Sequence, residues 1–429
     1  MEGKSNPSAS TAPNRKPQTE SAKPPGYKPK SQGKLLMEIT AVSGEYPADN
    51  IPRMILATSY AKKVVSALIG DKLIKLVSYG GLKGYRLTPK GKRTLVTDNP
   101  ARFAGFLDGA VETNKMRTGY ERRLRLHSLA EVCTLMNSAG VMIFQDVKPK
   151  VYLSDTQTAP SQPIIENSKG GKSPKVSGYR QTDSPSQSAV TAKHPPPTIS
   201  APCFYTSREQ KGQEDNAIRG SRAAGTLLTP TQIFAIYNTG RTESRWSEKT
   251  EQRFKAEVET NISRKLMVSQ YEGKAISGIM IGRDMETLEK YLTVSEKEKI
   301  AYAFLTKVYQ SFYYITNDRY GEAQLRILCD ENKMLKLKYT LLTRLLPHDK
   351  SHAVENDAMT EDGNPVLFCC LLNFPRLIRF RNGITLQNKT GKVIAFDFQM
   401  DMLKRYLGDA ATFVQLDFDK LAAQFFQDD

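Results

Sequence analysis

Nine cations carry the most legible chemistry in this sequence: Lys62, Lys63, Lys83, Arg86, Lys90, Lys92, Arg93, Arg122 and Arg123. The first 150 residues hold 25 Lys and Arg against 12 Asp and Glu, a net +13 of the chain's total of +17. A localised excess of this kind attracts a polyanion, because each cation that neutralises a phosphate releases a condensed counterion. A diffusely basic chain would spread the excess evenly. The expected partner is double-stranded DNA, contacted by the first third of the molecule. Arg117, Arg122, Arg123 and Arg125 gather at one helix start and either extend the phosphate track or form a solvated face.

Residues for bond-making chemistry are harder to find. No P-loop, G-x-S-x-G or H-E-x-x-H run occurs. Gly278-Ile279-Met280-Ile281-Gly282 lacks the third glycine of a dinucleotide turn. His348 and His352 flank a polar loop, and Tyr313-Tyr314 has no histidine cluster beside it. The acids Glu209, Glu214, Asp215, Glu243 and Glu248 read as surface charge and helix-start residues, and Asp397 and Asp417 as caps and turns. Cys133, Cys203, Cys329, Cys369 and Cys370 are scattered in apolar surroundings and read as reduced, buried thiols of a cytoplasmic protein. No catalytic residue, metal or cofactor is expected. No apolar run reaches the ~18 residues of a membrane span.

The elements that position the cations follow from local pattern. Residues 1–33 and 154–201 are rich in Ser, Pro, Gln and Lys and read as a disordered basic tail and a disordered linker. Two folded bodies remain, 34–153 and 202–429. The first should open with a helix over Leu35–Val42, a turn, a short helix over Ala48–Ile55 and a third helix over Ser59–Ile69 capped by Thr58. Tyr60, Val64, Val65 and Leu68 would form its inner stripe, with Lys62, Lys63 and Ser66 outside. Gly80-Gly81 between two apolar runs predicts a β-hairpin. Three helices and a hairpin make a winged helix, whose wing would present Lys83, Arg86, Lys90, Lys92 and Arg93. A helix over Tyr120–Asn137 follows.

The second body alternates strand and helix patterns and reads as an α/β domain with a mixed sheet. Strands are expected at 226–228, 232–238, 275–281, 312–315, 324–329, 365–372, 393–397 and 412–417. Helices are expected at 246–262, 285–291, 374–382 and 400–407. The run LIKLVSYGGLKGYRLTPKGKRTL is similar to winged-helix ends of bacterial DNA-binding proteins. The order SRAAGTLL, IFAIYNTG and RW resembles the replication-relaxation family of mobile-element proteins. That resemblance implies a restriction-endonuclease-like core holding a divalent cation on carboxylates. At the position of the first acid stand Ala223 and Ala224, and Ala235-Ile236-Tyr237-Asn238-Thr239 offers neither carboxylate nor lysine, which makes the core degenerate. The expectation is a non-catalytic DNA-binding accessory protein of a plasmid, phage or other mobile element, partnered by another replication or transfer protein. A metal-dependent nuclease and a winged-helix protein adaptor remain as alternatives.

Overall fold

The computed structural model describes residues 32–107, 119–151, 198–210, 220–241, 247–265, 270–293, 307–343 and 345–426. Arg117, Glu214, Asp215, Glu243 and most of the 1–33 and 154–201 segments lie outside them. The protein is mixed α/β with three sheets, two of which are themselves mixed.

The first part runs α1 (Gln32–Ser43), β1 (Tyr46–Pro47), α2 (Ile51–Met54), α3 (Thr58–Gly70), β2 (Ile74–Tyr79) and β3 (Leu82–Leu87). β1 to β3 form an antiparallel sheet in the order β1-β3-β2. The β2–β3 turn is made by Gly80 and Gly81, both at positive φ (57° and 81°), where a Cβ would be strained. The inner stripe of α3 is Ala61 and Val65 with Val64 and Leu68 half-buried. Tyr60 turns outward and is 47 % exposed. Thr58 is the first helical residue rather than the cap. The chain then forms α4 (Pro89–Asp98), whose N-cap Thr88 accepts the Gly91 N–H (3.1 Å), and α5 (Pro100–Leu107).

α6 (Tyr120–Ser138) joins this part to the rest. From Ala130 to Met136 every residue is buried, because first-part helices cover one side and a five-stranded sheet covers the other. That sheet, in the order β4-β5-β6-β7-β8, comprises β4 (Cys203–Thr206, which runs into the short helix α7, Ser207–Gln210), β5 (Gly225–Leu228), β6 (Ile233–Asn238), β7 (Ser277–Gly282) and β8 (Phe312–Thr316). β4–β5–β6 are antiparallel, and β6–β7–β8 are parallel. Strand alternation divides its residues between two clusters. Phe234, Ile236, Ile279 and Ile281 face α6 and the first part. Ala235, Tyr237 and Met280 face α8 (Glu248–Lys265) and α9 (Met285–Thr293). One apolar cluster thus runs from Leu36 in α1 to Leu325 in the last third of the chain.

A second five-stranded sheet has the order β13-β12-β11-β10-β9, from β9 (Leu346–Pro347), β10 (Ala358–Met359), β11 (Pro365–Phe368), β12 (Gly391–Phe396) and β13 (Ala411–Leu416). α10 (Arg319–Leu328) occupies a segment whose sequence predicts a strand at 324–329. Asp318 caps it through the N–H groups of Tyr320 and Gly321. Its Leu325 and Leu328 enter one cluster and Ala323 and Ile327 another, so the apolar run lacks one-sided helical spacing. α11 (Glu331–Leu341), α12 (Phe374–Gln387), α13 (Met400–Leu407) and α14 (Phe418–Phe426) complete the chain. The strand expected at 365–372 ends at Phe368, and the Leu372 carbonyl accepts the Tyr314 N–H, tying the two sheets together. All five cysteines are buried and unbridged, and no described helix is long and apolar enough to cross a membrane.

Candidate functional site

Glu45 organises the surroundings of the hairpin. Its carboxylate is fully buried and accepts from Arg86 Nε (2.8 Å), Arg123 Nη2 (2.6 Å) and Arg123 Nε (3.0 Å), with His127 Nε2 at 2.8 Å. Burial pushes this carboxyl up, but the bonds from His127, Arg123 and Arg86 outweigh it and hold it at about 2. Arg123 also donates to the carbonyls of Val77 (2.9 Å) and Tyr79 (3.1 Å). These bonds lock the start of α6 against β2, the edge strand, and cover carbonyls that would otherwise be open to pairing.

This hub corrects two expectations. Arg86 and Arg123, expected on a basic surface, are buried and engaged with Glu45. A second correction concerns the wing: Lys90, Lys92 and Arg93 stand on α4, not on the hairpin. Lys90 is exposed with Nζ bonded to the Asp71 carbonyl (2.9 Å), Arg93 is exposed, and Lys92 is half-buried.

The remaining cations fall on two sides of the sheet. Lys62 and Lys63 lie on the solvent face of α3 beside Tyr60, exposed and without an ion-pair partner among the described residues. Lys83 is exposed near the hairpin tip, on the sheet face whose Ile74 and Leu87 pack on the helices. Arg122 is exposed on the first turn of α6. Sequence reasoning passed over Lys75 and Arg208, both exposed, and the exposed Tyr79 and Tyr120. For Lys75 and Tyr79 a signal was present, since strand alternation puts them on one face. For Arg208 none was, because its neighbours come from a distant part of the chain.

The acids considered for a metal are dispersed. Glu209 pairs with Lys148 (2.7 Å) and accepts from Thr206 N–H and Oγ1. Glu248 opens α8 with Lys307 at 3.7 Å, and Asp397 and Asp417 accept nearby backbone N–H groups. Ala223 is buried ahead of β5 with no acid in its place. No group of three His, Cys, Asp or Glu among the described residues could hold a metal. Buried acids were missed, Glu45, Glu131 and Glu251 among them. Glu251 on α8 accepts from Ser221 Oγ (2.8 Å), Arg222 N–H (2.9 Å) and Tyr237 Oη (3.0 Å), and Tyr237 contacts Tyr309 Oη at 2.7 Å. Burial raises its carboxyl above the usual range. Its bonds to Ser221, Arg222 and Tyr237 latch α8 to the sheet.

Two cavities of about 300 Å³ exist elsewhere. One, at the carboxyl ends of β6 and β7, is bordered by Arg241, Arg283, Asp284 and Lys290. Arg241 is already held by Asp49 (2.6 Å) and Glu131 (2.7 Å). The other lies between β8 and α11, lined by Tyr313, Met334, Asp357 and Arg376. Arg376 there is bound to Glu355 and Asp357. No family model, curated protein or solved structure matches the chain.

Proposed function

We propose that the protein is a non-catalytic, duplex-DNA-binding accessory protein, with residues 34–151 acting as a winged helix. The element order α1-β1-α2-α3-β2-β3 and the sheet order β1-β3-β2 support this reading, since they are those of a winged helix. In that arrangement α3 is the helix that enters the major groove. The observation that carries the proposal is the solvent face of α3. Tyr60, Lys62, Lys63 and Ser66 are all exposed there, and neither lysine has an ion-pair partner among the described residues. Lys83 at the hairpin tip supplies a flanking phosphate contact. The non-catalytic part of the proposal, like the mobile-element context, follows from the resemblance noted in the sequence, in which Ala223, Ala224 and positions 235–239 offer no carboxylate. The nuclease alternative predicts metal-dependent nicking that is lost on changing Glu209, Asp215 or Glu243.

The test is fluorescence anisotropy of the full chain on a duplex at several salt concentrations. Lys62→Glu with Lys63→Glu should weaken binding at least about tenfold and lower the salt slope by about two. Unchanged affinity in that variant would remove α3 from the interface. Plasmid nicking in Mg²⁺ or Mn²⁺ would overturn the non-catalytic reading.

A further inference from the structure

The other face of the three-stranded sheet is chemically different from the helix-packed one. Lys75, Val77 and Tyr79 of β2 share it, because side chains alternate along a strand, and they pair with Arg86, Gly84 and Leu82 of β3. Its centre is closed by Glu45, Arg123 and His127. Its outer edge is open. Tyr79 is 60 % exposed and Tyr120 is 43 % exposed. They stand at the hairpin tip, where a side chain added at Gly80 would lie 3.0 Å from the Tyr120 ring. The bonds from Arg123 to the Val77 and Tyr79 carbonyls lay the first turn of α6 along β2, which brings exposed Arg122 to the same edge.

Lys75 stands on this face at the far end of β2, and Lys92 and Arg208 lie near enough for their charges to act on one another. Gly91 abuts the Leu73 carbonyl and Lys90 bonds the Asp71 carbonyl, which pins the start of α4 to the entry of β2. Burial, and then the charges of Lys75 and Arg208, draw Lys92 below the ordinary ammonium range. Packing, and then the charge of Arg122, lowers Arg208 similarly. Among the described carboxylates on the adjoining elements, Glu209 is engaged by Lys148 and Thr206, Glu45 by its arginines and His127, and Glu121 is exposed.

We infer that this edge is a track for single-stranded nucleic acid, with Tyr79 and Tyr120 as stacking platforms for unpaired bases and Lys75, Arg122 and Arg208 as phosphate contacts. A duplex hides the faces of its bases, so exposed tyrosines gain little from it. A single strand offers a π-face at every base and a phosphate between each pair, which is the pairing of rings and cations found here. An acidic peptide would satisfy the cations and leave the tyrosines unused. The track goes beyond duplex binding by α3, which uses other residues, and it joins the first part of the chain to Arg208 of the second.

The test uses the full chain with labelled oligomers of about 20 nucleotides: oligo-dT, oligo-U, an abasic strand of equal charge, and a duplex. Tyr79→Ala with Tyr120→Ala should weaken binding to oligo-dT or oligo-U at least about tenfold, and the native chain should bind the abasic strand weaker than oligo-dT by a similar factor. Lys75→Ser with Arg208→Ser should lower the single-strand salt slope by about 1.4. Lys62→Glu with Lys63→Glu should leave single-strand binding in place. Equal binding of the abasic strand and oligo-dT by the native chain overturns the inference without any variant having to fold. Full affinity in the tyrosine variant overturns it too. A chain that binds duplex and neither single strand ends this inference alone and leaves the α3 reading intact.

Discussion

Glu45 shows how one residue decides which cations are available to a ligand. Its carboxylate binds two arginines that would otherwise seem part of a basic surface. Replacing it with glutamine would leave both guanidinium groups buried without a counter-charge, at a cost of about 3–5 kcal/mol. Thermal melts of Glu45→Gln at neutral pH should show that loss. The pH dependence has a definite sign. The folded carboxyl lies at about 2, below its usual 4.5, so its contribution is present above pH 4.5 and is lost as the pH falls toward 2. A shift of that size is worth about 3 kcal/mol. The native chain should therefore lose stability over that acid interval more steeply than Glu45→Gln, and parallel acid-unfolding curves would remove Glu45 as the cause. Glu251 acts in the opposite sense. Its carboxyl is raised, so it favours the fold below its unfolded value and the contribution fades as the pH rises.

At the scale of elements, the hairpin is held to α6 by a contact that only glycine permits. A Cβ at Gly84 would lie 2.3 Å from Glu45 Oε1 and 2.6 Å from His127 Nε2, both on buried side chains. Gly84→Ala should therefore lower stability by about 1–3 kcal/mol, measured by denaturant unfolding, and should loosen the hairpin. An unchanged midpoint would mean that the hub can move aside. The hairpin and α3 were legible because their signals are local: a Gly-Gly turn between apolar runs, and an apolar stripe at helical spacing. The outward turn of Tyr60 and the helical state of 319–328 were not. Both depend on what packs against the segment, and α10 lies between two clusters that erase its one-sided pattern.

At the scale of the whole molecule, α6 passes through a core shared by the first part and the five-stranded sheet. Arg241 reinforces the junction by clamping Asp49 and Glu131, and Arg53 crosses to Glu322 and the Asp318 carbonyl. The chain should consequently unfold in one cooperative calorimetric transition. Arg241→Ala should lower its midpoint, because Glu131 would remain buried without its cation. Two separate transitions would show that the parts are energetically independent.

Charge distribution, the Gly-Gly hairpin, the helix of Lys62 and Lys63, and the lack of carboxylates at Ala223, Ala224 and positions 235–239 were all determined by the sequence itself. Each depends on composition or on neighbours a few positions away. Which cations face solvent was decided only by the tertiary structure. Arg86 and Arg123 meet Glu45 across 41 and 78 positions, and Arg208 joins Lys75, Lys92 and Arg122 from beyond the 152–197 segment. Desolvation and ion pairing between distant residues leave no periodic trace, so a charge is legible along the chain while its partner is not.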